Sequence, residues 1–180
     1  IAEFILTYKN SDEASDRYKY DVISDEALKI DSSEVVQILV LVLRYLNSNK
    51  DSLSKITFVY KYLRYHNSTE SFNRDLYSVF IYHLQNEENC LFDDFLPKEF
   101  SENLLFMSRL PLLELAEYII GVLNLNKKPE DFHFVHAFLN LIHEFTENDA
   151  ADINSFIAWW DEEGNTKAIS TSEDQDAIKI

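Results

Sequence analysis

The cations at positions 55, 61, 64 and 74 are the side chains of this sequence best placed to meet a ligand. Lys55, Lys61, Arg64 and Arg74, with Arg44 and Lys50, make six basic residues between positions 44 and 74, against Asp51 and Glu70. Clustered Lys and Arg meet phosphate oxygens, each adding a salt-dependent term to binding. These four positions are therefore the candidate nucleic-acid contacts; a solvated helix face is the competing reading.

Other residue types reach no recognisable chemistry. His133, His136 and His143 fall within roughly 80° of one another on a helix, and three imidazoles on one face could bind zinc. That face opposes Val135, Phe138 and Ile142, however, and no Cys or carboxylate completes a familiar ligand set, so they read as surface histidines. Cys90 sits beside Glu87 and Glu88, which raise a thiol pKa rather than activate it. His66 and His83 are remote from it in sequence. The pairs Asp93/Asp94 and Asp161/Glu162 read as surface charge. In Trp159-Trp160 one ring is expected in the core and the other on its flank, rather than both stacked on bases. Phosphate-binding loops need clustered glycines so that backbone N–H groups can approach the phosphates. Gly121 and Gly164 stand far apart and supply neither loop. No catalytic, cofactor-binding or metal-binding residue is assigned.

The elements that carry these residues are mostly helices. With 46% apolar residues, thirteen Phe and ten Tyr in 180 residues, the chain can bury about 70% of its unfolded surface. Two Gly and three Pro are too few for the turns of a sandwich or barrel. The stretch Tyr20–Leu46, YDVISDEALKIDSSEVVQILVLVLRYL, reads as a short strand, a loop and a helix apolar nearly all round. Asp31 with Glu34 resembles a capping box, with Asp31 or Ser32 as the cap. Leu53, Ile56, Tyr60 and Leu63 mark the buried face of the next helix. Phe72, Leu76, Val79, Phe80 and Leu84 mark another, and Asn89 to Phe95 a loop. Pro97, Pro111 and Pro129 each open a helix. Asp152 caps the last helix and Gly164 ends it. A polar linker follows from Asn165 to Asp174, then a strand at Ala177–Ile180. Ile1 to Tyr8 repeats apolar residues at helical spacing with no cap before it. The predicted architecture is mainly α: a multi-helix inserted domain on a small α/β base of two short strands distant in sequence, cut at both ends.

Net charge is −16, which makes the surface as a whole repel nucleic acid. From Glu144 to Asp176 there are ten acids and only Lys167 as a base. One cysteine allows no disulfide within the chain. The start has no basic n-region, and the longest apolar run, Val35 to Leu43 broken by Gln37, is far short of the ~20 residues of a membrane span. No membrane partner is expected.

The segment Tyr20–Leu46 resembles the stretch after motif IV in UvrD/RecB-like superfamily 1 DNA helicases, particularly the AddA-like branch. The matching positions are Ser24, Glu26 and Leu28, then Leu43-Arg44-Tyr45-Leu46. FIAWWDEEGNTKAISTSEDQDAIKI is similar to the end of that family's inserted subdomain, where a Trp-Trp helix precedes a linker and a strand leading to motif V. LPLLELAEYIIGVLNL looks like a helix of the same insertion. The resemblance implies a non-catalytic fragment of an ATP-dependent DNA helicase, or helicase-nuclease, of bacterial cytoplasmic DNA repair and recombination. Residues 1–48 would flank the second RecA-like lobe, 49–166 would be the inserted helical 2B subdomain, and 167–180 would return to the lobe. ATP and Mg would belong to the parent, whose other motor domains, repair-complex subunits and DNA would be the partners. Walker A and B and motifs IV, V and VI do not occur here, so no ATP ligand carries over. The alternative is a stand-alone helical protein-interaction domain with an acidic face.

Overall fold

The computed structural model describes residues 21–23, 29–48, 52–67, 95–148, 152–169 and 177–179. The expected helices at 1–8 and 72–86, with Cys90, Asp93, Asp94, His83 and Arg74, lie outside them. Within them the chain is mainly helical. Helix α1 (Glu34–Asn47) is followed by α2 (Ser52–His66), two short helices α3 (Lys98–Glu102) and α4 (Leu104–Met107), then α5 (Leu112–Val122), α6 (Phe132–Asn148) and α7 (Ile153–Glu162). Strands β1 (Asp21–Ile23) and β2 (Ala177–Lys179) pair in parallel, Asp21 opposite Ala177 and Ile23 opposite Lys179. Six paired residues do not amount to the α/β base expected from the sequence, and the class is mainly α.

The apolar run of α1 makes it the centre of the packing. Val35, Val36, Ile38, Leu39, Val40, Val42, Leu43 and Tyr45 are all buried, as an all-round apolar helix must be. It packs on α2, α5, α6 and α7, so α1 belongs to the helical body. The start of α1 differs from the expected capping box. Asp31 lies in a 3-10 turn, Ile30–Ser32, and Ser33 occupies the N-cap position without a side-chain cap bond. The turn closes through Ser32 N to Lys29 O at 3.0 Å and Ser33 N to Ile30 O at 3.3 Å. This turn places Asp31 too early to cap, and Glu34 reaches across to Arg64 instead.

Helix α2 is rotated from its expected face. Phe58 and Val59 are fully buried, and Leu63 and Tyr65 nearly so, while Leu53 is 70% exposed. The Phe58 ring takes the middle, 5.5 Å from Phe100; Leu53, about 140° round the helix from it, is left outside. The far end of α2 is tied to the connection before α6. Tyr65 Oη donates to Asp131 Oδ2 at 2.7 Å, and Lys128 Nζ lies 4.0 Å from the centre of the Tyr65 ring.

Pro97 and Pro111 stand at the N-cap of α3 and α5, one residue ahead of the expected position, while Pro129 starts a 3-10 turn leading into α6. Helix α5 ends at Val122, with a left-handed residue two positions on. Asn124 takes a left-handed φ of 52°, Asn124 N donates to Gly121 O at 3.1 Å and Leu125 N to Ile120 O at 3.0 Å. These are the two bonds of a Schellman termination, and they turn Leu125 into the core.

On α6 the buried residues are Val135, Phe138, Ile142 and Phe145, as the spacing predicts. They meet Phe156 and Trp160 of α7 in an aromatic cluster: Phe138 lies 5.5 Å from Trp160 and Phe145 5.4 Å from Phe156. Asp152 caps α7, accepting from Ser155 N at 2.9 Å. Gly164 acts differently from a helix-stop glycine. No glycine of the described residues has a positive φ. It opens a 3-10 turn, Gly164–Thr166, and a Cβ there would stand 2.8 Å from Trp159 Cζ3 and 2.9 Å from Trp160 Cε3. Asn165 and Thr166, expected in a linker, are part of this packed turn.

Candidate functional site

The two turns flanking the helical body meet. Ile30 N donates to Lys167 O at 2.9 Å, and Lys29 forms an antiparallel bridge with Ala168. The incoming and outgoing chain are thereby joined at a neck. Beside it an open cleft of about 280 Å³ is lined by Asp31, Gln37, Arg44, Lys61, Asp161 and Asn165, with Val40, Leu41 and Trp160 beneath. A second hollow of about 500 Å³, with Lys29, Ser32 and Thr166, shares Asp31, Gln37 and Asn165 with it.

Helix α1 presents one polar edge to this region: Glu34, Gln37 one turn on, and Arg44 two turns further. Each member is answered by another element. Arg64 Nε donates to Glu34 Oε1 at 2.7 Å. Lys61 Nζ donates to Gln37 Oε1 at 2.6 Å, and Gln37 Nε2 donates to the Asp31 carbonyl at 2.6 Å. Arg44 forms an ion pair with Asp161, whose backbone carbonyl accepts from Asn165 Nδ2 at 3.2 Å. Burial pushes the Asp31 carboxyl above its ordinary range, and the Lys61 and Arg44 charges pull the other way.

The candidate phosphate contacts thus have internal neighbours. Lys61 and Arg64 are held by α1, and Lys55 Nζ lies 5.5 Å from the centre of the Tyr45 ring. Arg44 and Lys61 share the cleft; Lys55 and Arg64 do not line it. His133, His136 and His143 are exposed on α6, with His143 Nε2 3.5 Å from Glu147 Oε1. Among the described residues no group of three His, Cys, Asp or Glu could hold a metal ion, and no helix is long and apolar enough to cross a membrane. Trp160 is buried and Trp159 flanks it.

Two hydroxyl–carboxylate pairs of the described residues are structural. Tyr65 donates to Asp131, and burial followed by that bond raises its pKa well above the ordinary phenol value, the reverse of activation. Ser155 belongs to the Asp152 cap. The cleft can orient a polar ligand or lock two turns together, but it offers no activated nucleophile. Sequence reasoning missed it because Arg44 and Asp161 are 117 positions apart, and neither has a local signature.

His66 adds a pH dependence. Its Nε2 lies 3.0 Å from Leu123 O, and its ring packs edge-on to Tyr62 at 4.7 Å. Burial chiefly lowers its pKa below the ordinary 6.5, helped by Lys127 and Lys128 and opposed by the Leu123 bond. The unfolded chain then takes up this proton at higher pH than the native one, so stability falls as pH drops below about 6.5. Urea midpoints at pH 7 and pH 5 should therefore differ more in the native chain than in His66→Gln. An equal difference in both would rule out His66 as the source.

Comparison with protein families, characterised proteins and solved structures found no match to this chain.

Proposed function

We propose that this chain is a non-catalytic helical subdomain carried as an insertion by a UvrD/AddA-like ATP-dependent DNA helicase of bacterial cytoplasmic repair. One observation carries the reading: the helical body closes on itself at a neck, where Lys29 meets Ala168 and Ile30 meets Lys167. An inserted domain needs its two ends adjacent so that the host fold can pass through it unbroken. The parallel pairing of β1 and β2 extends the same relation outward. Parallel neighbours require a long crossover, and here the helical body is that crossover. In this reading the strands belong to the α/β lobe of the host. ATP, Mg and the DNA track are the host's.

Of the two roles such an insertion can have, regulation and gripping duplex DNA, the pairing of Arg64 with the Glu34 carboxylate and of Arg44 with Asp161 favours the first. A cation already neutralised by a carboxylate adds little net charge against phosphate and so displaces few of the counterions condensed on DNA. The test begins with the coding frame on either side of this chain. It should run into motif V after residue 180 and carry a phosphate-binding loop upstream. In that whole protein, replacing residues 30–167 by a short turn should preserve DNA-stimulated ATP hydrolysis while altering strand separation. A frame without a phosphate-binding loop would refute the helicase reading and leave the helical interaction domain in its place.

A further inference from the structure

The outer face of α5 has no use within the described fold. Glu114, Glu117 and Gly121 are exposed and Tyr118 is partly so; at 100° per residue these four share one stripe. Phe106 of α4 stands edge-on to Tyr118 with ring centres 5.4 Å apart. It is 51% exposed, and its neighbour Leu105 is 68% exposed. Two large apolar side chains left outside beside a tyrosine make a patch of the kind that binds other surfaces.

Gly121 is a second, independent observation. Glycine is among the poorest helix formers, and α5 does not use this one to stop, because Asn124 supplies the left-handed residue. Nothing lies within 4 Å of the position its Cβ would take. Packing inside this fold therefore does not demand the missing side chain, whereas a notch one turn beyond Tyr118 lets another backbone approach closely. The charge on the helix itself has one sign, and the exposed Arg109 lies before its start. Glu114 and Glu117 are the charged residues of α5, and the helix carries no base.

We propose that the face of α5 formed by Tyr118 and Gly121, with Phe106 and Leu105 beside it and Glu114 and Glu117 as its rim, docks a basic amphipathic helix of a partner protein. The partner's apolar stripe covers Phe106 and Tyr118, its backbone crosses at Gly121, and its Lys or Arg side chains meet the two glutamates. Acidic complementarity selects a cationic helix over an anionic one and speeds the encounter. The assignment is independent of the helicase reading and applies equally to a host of another kind.

The test uses the full chain and a labelled helix-forming Leu/Lys peptide of about fourteen residues, four turns, followed by fluorescence anisotropy. A scrambled peptide of the same composition controls for attraction by the net charge of −16. The patterned peptide should bind at least about tenfold tighter than the scrambled one. Gly121→Leu should remove that preference with no change of charge and with an unchanged or higher Tm, because leucine is the better helix former. Glu114→Gln with Glu117→Gln should weaken binding and flatten its salt dependence. Equal binding of the two peptides, or full binding by Gly121→Leu, would overturn the proposal. So would a patterned Leu/Glu peptide that binds as well. Concentration-dependent self-association that Gly121→Leu abolishes would identify a second copy as the occupant and would also overturn it.

Discussion

Phe138→Ala should lower the unfolding free energy by about 3–5 kcal/mol, the range for deleting a fully buried aromatic ring, and Tm by roughly 6–20 °C. Phe138 is wholly buried on α6, with ring centres 5.5 Å from Trp160 and 6.0 Å from Phe156. Each of those rings packs on others: Phe156 lies 5.4 Å from Phe145 and 5.6 Å from Trp159. Truncation removes apolar burial and edge-to-face contacts together, and rings held from several sides cannot collapse to fill the space. Phe132→Ala on the same helix is the control. Phe132 is 45% exposed, so its loss should fall near the ±0.5 kcal/mol typical of surface changes. Urea denaturation followed by tryptophan fluorescence reads both. A Phe138→Ala loss below ~1 kcal/mol would mean that the α6–α7 cluster is not the core of this body.

Gly164→Ala should cost about 1–3 kcal/mol, as overpacking does, although alanine is otherwise the more favourable residue. The added Cβ would stand 2.8 Å from Trp159 Cζ3, 2.9 Å from Trp160 Cε3 and 3.2 Å from Trp159 Cε3. Trp160 is 2% exposed and belongs to the core, so it has little room to retreat. The strain would fall on the Gly164–Thr166 turn, which carries Asn165 into the cleft and precedes Lys167, the acceptor of the Ile30 N–H at the neck. Asparagine separates the two explanations of this glycine. A left-handed helix stop accepts Asn nearly as well as Gly; a site closed by two indoles rejects it at least as strongly as Ala. Gly164→Asn should therefore be no more stable than Gly164→Ala. Amide exchange of Ile30 should also rise in both variants if the turn governs the neck.

The helical class, the central place of α1 and the surface location of the three α6 histidines follow from residue pattern alone. An apolar run such as Val35–Leu43, broken only at Gln37, leaves a helix one narrow polar edge, so it must be packed on its other sides whatever its neighbours. The Asp152 cap and the division of labour between Trp159 and Trp160 were legible for the same reason: each depends on residues within one or two turns.

The cations show where that reasoning stops. In sequence Lys61 and Arg64 show no partner, whereas in the fold Gln37 bonds the first and Glu34 pairs with the second. Those partners lie 24 and 30 positions away and were assigned to another element. Leu53 fits the same apolar spacing as Leu63, but which of two overlapping stripes turns inward depended on the ring of Phe58 finding Phe100. Gly164 carries a helix-stop signal in sequence and a close-packing role in space, because its neighbours in the chain fold their indoles back over it. Local periodicity thus located the long helices and determined the apolar faces of α1 and α6, and capping determined the start of α7. Only the tertiary structure decided which charges are paired, where the cleft lies and that the two ends meet. Those outcomes rest on contacts between residues far apart in sequence, whose distances no local pattern encodes.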